Sequence, residues 1–380
     1  MSSSPSGPIT LGDPVPLFSG HLLSGDAFDL HVSAGRWVVL SFLGSPDNPR
    51  VASEIAALTQ LGDILNEDHL VVKAILAAPP AEMEEYAAPQ NKALSFIADY
   101  DGAIGRAYGM QDMPGTVVLD PMLRAIAYFP WDFPQGHAQS VAGLLRGLPS
   151  VDESAGVPLT APALIVPRVF DFPFCDFLIN FYEKNESQES GFLYDTEGKT
   201  ATMLNYRLKR RRDVPVARPE LREAIRGQMV RRLVPEIERF FQFEATRMDR
   251  YVVSCYDSAV GGHFHRHRDN VNAGAAHRRF ALSINLNSDY EGGDLIFPEF
   301  GRRTYRAPVG GAVLFSCGAL HQVMSVTRGK RYAFLAFLYG EADAVKREAN
   351  NDRLHDGEER YDGTWDCLFP DKADEPGQAA

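Results

Sequence analysis

A chain of 380 residues is long enough for two domains, each with its own core. Its formal net charge of −12 at pH 7 counts against a general nucleic-acid binder, because phosphate neutralisation needs a basic face. With 45% hydrophobic and 23% charged residues the composition is that of an ordinary soluble protein, and apolar runs such as "YAFLAFLY" are too short to span a bilayer. The opening "MSSSPSGPITLGDPVP" pairs no basic residues with an apolar run, so no secretory signal is expected and the cytoplasm is the expected compartment. Cys175, Cys255, Cys317 and Cys367 form no C-x-x-C pair, which argues against a zinc ribbon or a disulfide scaffold and for free thiols.

In chain order, "RWVVLSFL" (36–43) and "LVVKAILAA" (70–78) read as buried strands, and "NPRVASEIAALTQLGDIL" between them has helical spacing. "GTVVLDPMLRAIAYFP" (115–130) reads as two strands joined by a turn at Asp120-Pro121. This alternation implies an α/β domain over residues 1–150. Residues 151–162, rich in Pro, Ser and Gly, read as a linker. A second domain is expected over 163–345 and a polar tail over 346–380, where Trp365 and Phe369 are candidates to dock back. That second domain opens with helices. Asp171 and Pro173 start "FCDFLINFYEKN", and Leu221, Ile225, Met229, Leu233, Ile237 and Phe241 lie four apart on one face, with Pro235 expected to interrupt. From residue 248 onward, short strands such as "RYVVSCY", "RFALSINLN", "GDLIFPEF", "GAVLFS" and "RYAFLAFLY" alternate with Gly, Asn and Asp turns, as in a β-sandwich or barrel.

The run "GGHFHRHRDN" (261–270) raises a metal question. A mononuclear iron(II) site for oxygen chemistry needs two imidazoles and one carboxylate, with the other positions left open. Residues i and i+2 of a strand point the same way, and of the ten histidines His267 alone has an acid two positions on, Asp269. The third ligand has to come from a distant strand. The bland alternative is a surface strand, since H-x-D is common by chance. A zinc site from His263, His265 and His267 is disfavoured, because a strand spreads them over about 13 Å. The basic run "RLKRRRD" (207–213) reads by default as a solvated face.

Downstream context narrows the choice. Tyr256, then "FHRHRDN", "EGGDLIFP", "GGAVLF" and a histidine in the pattern H-x-V-x-x-V-x-x-G-x-R occur in that order. Over about 160–340 the sequence resembles the 2-oxoglutarate- and iron(II)-dependent dioxygenases of the prolyl 4-hydroxylase-like group. The resemblance implies a double-stranded β-helix (jelly-roll) of α+β class with lead-in helices. It implies iron(II) on His267, Asp269 and His321, with 2-oxoglutarate and O2 as cosubstrates, and it admits ascorbate as an auxiliary reductant. Arg331 is then expected to hold the far carboxylate of 2-oxoglutarate, because a guanidinium fork pairs bidentately with a carboxylate. Lys330 is the alternative, though its strand neighbour faces the other way. Tyr256 is expected to donate to the same cosubstrate, and Asn285 stands where some relatives have a tyrosine contacting it. The implied reaction hydroxylates an unactivated C–H bond of a prolyl residue or another amino-acid, peptide or protein substrate, releasing succinate and carbon dioxide. A small-molecule metabolite, a nucleic acid or a non-catalytic scaffold are the competing readings. The segment 191–216, with Arg210, Arg211 and Arg212, is a candidate substrate-contacting region for an acidic ligand.

The first half resembles a peroxiredoxin. "LGDPVPLFSGHLLSGDAFDL", "GRWVVLSFLGSPDNPRVASE" and "FIADYDGAIGRAYGM" followed by "PGTVVLDPMLRAIAYF" carry the likeness over about 8–150 and imply a thioredoxin-like fold. The peroxidatic cysteine is expected near Val51 or Ala52, yet no cysteine precedes Cys175, and Pro114 stands where an arginine normally supports the thiolate. Thiol peroxidase chemistry needs a thiolate, so this domain is expected to be inactive in it. A structural or binding role is expected instead, by homodimerisation or by presenting a substrate to the barrel. Pro114 is expected to be a cis proline.

Overall fold

The computed structural model describes residues 9–22, 25–79, 93–111, 113–133, 136–196, 198–356, 360–361, 363 and 367–370. By internal contacts the polypeptide divides into two compact units: Met1–Ala161 with Phe297–Arg303, and Pro162–Ile296 with Thr304–Ala380.

The first unit runs β1 (Ser19–Leu22), β2 (Ala27–Asp29), β3 (Trp37–Gly44), α1 (Arg50–Thr59), β4 (Leu70–Leu76), β5 (Leu94–Ala98), α2 (Ala103–Tyr108), β6 (Gly115–Leu119), β7 (Ala125–Pro130) and α3 (His137–Arg146). Its sheet has the order β2-β1-β5-β4-β3-β6-β7. Strands β3, β4 and β5 are parallel, while β6 and β7 run antiparallel. Strands β3 and β4, apolar except for Ser41 and Lys73, are buried along nearly their whole length, as strands covered on both faces must be. Helices α1 and α3 place Val51, Leu58, Val141 and Leu145 in the same core as Val39, Val72 and Val118. At the β6–β7 turn, Asp120 Oδ1 accepts from the backbone N–H of Met122 (2.8 Å) and Arg124 (2.9 Å), which is how an aspartate substitutes for a backbone turn.

One expectation fails here. The bond into Pro114 is trans, and no cis peptide bond occurs among the described residues. Trans is the default for an X–Pro bond, favoured by about 0.5–1 kcal/mol, and here the carbonyl of Pro114 simply accepts from Trp131 N–H at 3.1 Å. In the first turn of α1, Val51 is fully buried and Ala52 is exposed, so alkyl side chains occupy the two positions near which the peroxiredoxin resemblance implies a thiolate.

The second unit runs β8 (Ala163–Val166), α4 (Phe172–Lys184), β9 (Gln188–Glu189), β10 (Phe192–Thr196), β11 (Lys199–Met203), β12 (Lys209–Arg210), β13 (Arg212–Pro215), α5 (Pro219–Arg232), α6 (Val234–Phe241), β14 (Arg247–Asp257), β15 (His263–His267), β16 (Phe280–Asn285), β17 (Glu291–Gly292), β18 (Leu295–Ile296), β19 (Thr304–Tyr305), β20 (Ala312–Ser316), β21 (His321–Val323), β22 (Val326–Arg328), β23 (Lys330–Tyr339) and α7 (Glu341–Ala349). Two antiparallel sheets form its centre: a seven-stranded one, β8-β20-β16-β23-β14-β13-β9, and a five-stranded one, β12-β15-β21-β18-β19. Asp171 caps α4 by accepting from Phe174 N–H at 3.0 Å. The long helical pattern splits into α5 and α6 at Leu233, two residues before Pro235.

Period-two alternation sorts the large sheet into two faces. Tyr251, Val253 and Cys255 of β14, Phe280, Leu282 and Ile284 of β16, and Phe334, Ala336 and Leu338 of β23 share one core with Leu178, Ile225, Met229 and Ile237 of the helices. The intervening residues, Tyr256, Ser283, Asn285 and Arg331 among them, belong to the opposite face. Helix α7 crosses the expected start of the tail at 346, and Leu368 is buried with its N–H bonded to Thr246 O at 2.7 Å. Phe369 packs against the same core; Trp365 lies outside the described residues.

Candidate metal centre

His267 and His321 meet because they are register partners across the antiparallel β15–β21 pair. An irregularity between Phe264 and His267 re-aims the end of β15. The strand ends at His267, so Asp269 arrives on the following turn, not by strand alternation, and its N–H is fixed on Cys317 O at 2.9 Å. His267 Nε2 lies 3.5 Å from Asp269 Oδ1, and His321 Nε2 lies 3.4 Å from Asp269 Oδ2. One donor atom from each of the three falls within 4.8 Å of the others, and among the described residues this is the one such cluster.

The outer nitrogens fix the tautomers. His267 Nδ1 bonds His265 O at 2.7 Å and His321 Nδ1 bonds Ala319 O at 3.1 Å. A carbonyl can only accept, so both Nδ1 atoms carry a proton and both Nε2 atoms are left to face the carboxylate. Burial pushes the His321 imidazole down to about 4, and the adjacent His267 adds to this, so the ring is neutral. Burial opposes ionisation of Asp269, but His321 and His267 outweigh it and hold the carboxyl well below its usual range. Two imidazoles and one carboxylate on one side form the donor set that non-haem iron(II) uses. The rings are held from behind: Phe264 stacks on His267 at 3.5 Å between centroids, and Phe315 meets His321 edge-on at 4.6 Å. His263 and His265 are not drawn in. His263 Nδ1 bonds Gly261 O at 2.7 Å and its Nε2 bonds Arg207 O at 3.2 Å, while His265 is exposed.

A cavity joins the triad to Tyr256, Arg331 and Lys209. Arg331 is 3% exposed and bonds only neutral oxygens: Asn285 Oδ1 from Nε (3.2 Å) and Nη2 (3.1 Å), and Ser283 Oγ from Nη2 (2.8 Å). Among the described residues no carboxylate reaches it. A buried guanidinium without an acid is costly unless a ligand supplies the anion. Lys330 instead faces outward and pairs with Glu183 at 3.8 Å. Asn285 is oriented from its other end, donating from Nδ2 to Ala307 O at 2.8 Å, so its oxygen is left for Arg331. The Tyr256 ring lies between two guanidinium carbons, Arg331 at 5.4 Å and Arg211 at 5.8 Å from its centroid, and its hydroxyl accepts from Arg211 Nη1 at 3.4 Å.

The basic run departs from the solvated reading at three positions. Lys209, Arg211 and Asp213 are buried, whereas Arg212 is exposed and pairs with Glu189 at 2.7 Å. Arg211 forms a fork on Asp213, Nε to Oδ1 and Nη2 to Oδ2, both 2.7 Å. Arg210 bonds the carbonyls of Tyr206 and Val260 at 3.3 Å. Sequence reasoning did not single out two cavity residues, Ser283 and Lys209. The alternation of Ser283 with Asn285 in "LSINLN", and of Lys209 with Arg211 and Asp213, was the available signal.

Comparison with known proteins agrees with this division. Residues 251–339 match the 2OG-Fe(II) oxygenase superfamily, and residues 11–126 match the AhpC/TSA family. The protein therefore has a thioredoxin-like domain of the peroxiredoxin kind, followed by a 2OG-Fe(II) oxygenase domain of jelly-roll form. Among curated relatives it is similar to a PKHD-type hydroxylase of Synechococcus sp., 29% identical over 133 residues that make up 31% of this chain and 58% of that protein. A PKHD-type hydroxylase of Pseudomonas fluorescens is 34% identical over 134 residues, 33% of this chain and 55% of the relative. The match thus spans little more than half the length of these relatives. Among solved structures, a prolyl hydroxylase of Trichoplax adhaerens in complex with a hypoxia inducible factor peptide fragment covers 50% of this chain and 86% of its own, at 17% identity and a TM-score of 0.37. No described helix is long and apolar enough to cross a membrane.

Proposed function

We propose that the second unit is an iron(II)- and 2-oxoglutarate-dependent hydroxylase. His267, Asp269 and His321 hold the metal, and Arg331, oriented by Asn285 and Ser283, takes the far carboxylate of 2-oxoglutarate. The observation that carries this reading is the pairing, in one cavity, of a converged donor triad with a buried arginine that has no acid of its own. Bound there, iron(II) and 2-oxoglutarate supply oxidative decarboxylation to succinate and carbon dioxide, with O2 as oxidant, and hydroxylation of an unactivated C–H bond.

The protein's own part is positioning. Carbonyls behind each imidazole keep the Nε2 atoms aimed, and Phe264 and Phe315 hold the rings against rotation. Tyr256 stands beside Arg331, and its hydroxyl, which accepts from Arg211, keeps its own proton to donate to the same cosubstrate. The substrate is an amino acid, peptide or prolyl-type compound, and the PKHD-type relatives support a hydroxylase reading.

The first unit has no thiolate and acts as a structural or binding module. With the full-length protein, iron(II) and air, 2-oxoglutarate is expected to yield succinate at a rate that rises when the substrate is added. Peroxide is expected to persist. Absence of iron-dependent succinate formation, together with no iron binding, would return the protein to the scaffold class.

A further inference from the structure

Lys209 has no part in the site as proposed so far, yet it is 4% exposed and lines the same cavity. It sits on β12, whose register with β15 sets Lys209 opposite Phe264 and Arg210 opposite His263. Its Nζ donates to Gly191 O at 2.6 Å and lies 4.6 Å from the Phe264 ring centroid. Among the described residues no carboxylate bonds it. Burial, then Arg211 and Arg250, pushes this lysine well below its usual range against the opposing pull of Asp213 and Asp269, so an arriving anion would favour its charged form.

The charges around it do not cancel. Lys209, Arg211 and Arg250 all line the cavity. Asp213 is the carboxylate that answers them: it takes the fork of Arg211 at 2.7 Å and lies 3.6 Å from Arg250. Its remaining acceptor capacity is used by Ser190, at 2.6 Å, and Ser254, at 2.6 Å. The cosubstrate side, by contrast, closes on itself. Iron(II) and Arg331 balance Asp269 and the dianion of 2-oxoglutarate. Arg211 and Arg250 against the single Asp213 therefore leave surplus positive charge beside Lys209 when metal and cosubstrate are in place, and an anion docking there gains from it and from protonation of Lys209.

We infer that Lys209, backed by Arg211, is a second anion subsite of this cavity, and that it docks a carboxylate or phosphate carried by the primary substrate. This rests on the iron and 2-oxoglutarate reading above and narrows its substrate class to compounds with an anionic group near the hydroxylated carbon, such as an amino acid or the carboxyl terminus of a peptide. Phe264 links the subsite to the chemistry. One ring both stacks on His267 and carries the ammonium, so an anion held by Lys209 leaves the rest of the molecule within one side chain's length of the metal ligands. The ammonium is a compact point charge and sets where the anion lies.

The test uses the full-length protein loaded with manganese(II) in place of iron(II) and saturated with 2-oxoglutarate, so that nothing turns over. The paramagnetic ion speeds relaxation of protons on any small molecule bound near it. Butyrate, ethyl phosphate and the neutral butyramide serve as probes. Saturable enhancement for butyrate, for ethyl phosphate or for both, with butyramide at least tenfold weaker, is expected, and the stronger of the two anions tells carboxylate from phosphate. In Lys209→Met, which keeps the stem and removes the charge, anion affinity is expected to fall at least tenfold while butyramide stays as weak as before. Equal enhancement for all three probes would overturn the subsite. So would anion binding that disappears as 2-oxoglutarate is raised, because the probe would then be occupying the place of Arg331's partner. Failure of manganese(II) and 2-oxoglutarate to bind at all would be a different result, overturning the hydroxylase reading itself.

Discussion

The two units each bury a polar cluster, and the clusters differ in how they end. In the first unit, Glu54 Oε2 meets His137 Nδ1 at 2.7 Å, His137 Nε2 meets Thr116 Oγ1 at 3.0 Å, and Thr116 Oγ1 meets Ser41 Oγ at 3.2 Å. Arg50 completes the series by donating to Glu54 Oε1 at 3.3 Å. Every heavy-atom partner is internal, so the cluster behaves as a fastening between α1, α3 and the sheet. In the second unit, the Nε2 atoms of two histidines, the Arg331 fork and the Lys209 amine share one cavity, and Arg331 and Lys209 bond only neutral oxygens. Burial and hydrogen bonding alone do not mark a site. What marks it is polar capacity left over and aimed at a common space.

That contrast sets the sizes of effect to look for. Arg331→Met removes a buried cation from its expected carboxylate partner and should weaken 2-oxoglutarate binding by about 2–5 kcal/mol, read by calorimetry with metal present. A loss under tenfold would mean that another cation holds the cosubstrate. Glu54→Ala, in the closed cluster, should cost about 1–3 kcal/mol of stability by leaving the His137 nitrogen without its partner. The denaturation midpoint reads this, and cosubstrate affinity should not move. This second effect also has a pH signature. Burial raises the Glu54 carboxyl, but His137 and Arg50 outweigh it and hold it below its ordinary value. The unfolded state therefore takes up the proton first, so the contribution is present at neutral pH and fades as pH falls through the ordinary glutamate range. The stability gap between wild type and Glu54→Gln should shrink over that interval; a gap that widens would contradict the assignment. Smallest of all, Lys330→Met, one residue from Arg331 but facing outward, should change either quantity by no more than about 1 kcal/mol.

Much of this contrast is legible in the sequence. The apolar runs of β3 and β4, the Asp120 turn, the Asp171 cap and the break near Pro235 follow from local rules that act within a few residues. The triad is readable through order and spacing, because His267 and Asp269 are close in sequence and the H-x-V-x-x-V-x-x-G-x-R pattern marks His321 and Arg331 together. Two things are not legible there. Reading His267 and Asp269 as strand neighbours misses that β15 ends at His267, since a strand end depends on where its partner β21 begins. The run "RLKRRRD" looks solvated because like charges usually are. Its inward half is held by Gly191 O, Asp213 and the Phe264 ring, and two of these three come from segments that the run itself does not contain.

Anaerobic titration of iron(II) into the full-length protein in the presence of 2-oxoglutarate, compared with the same titration of His321→Ala, tests the account most directly. One iron per protein molecule, bound more tightly when 2-oxoglutarate is present and weakened at least about 100-fold by the substitution, is the predicted result. Equal binding by the two proteins, or iron binding indifferent to 2-oxoglutarate, would contradict it.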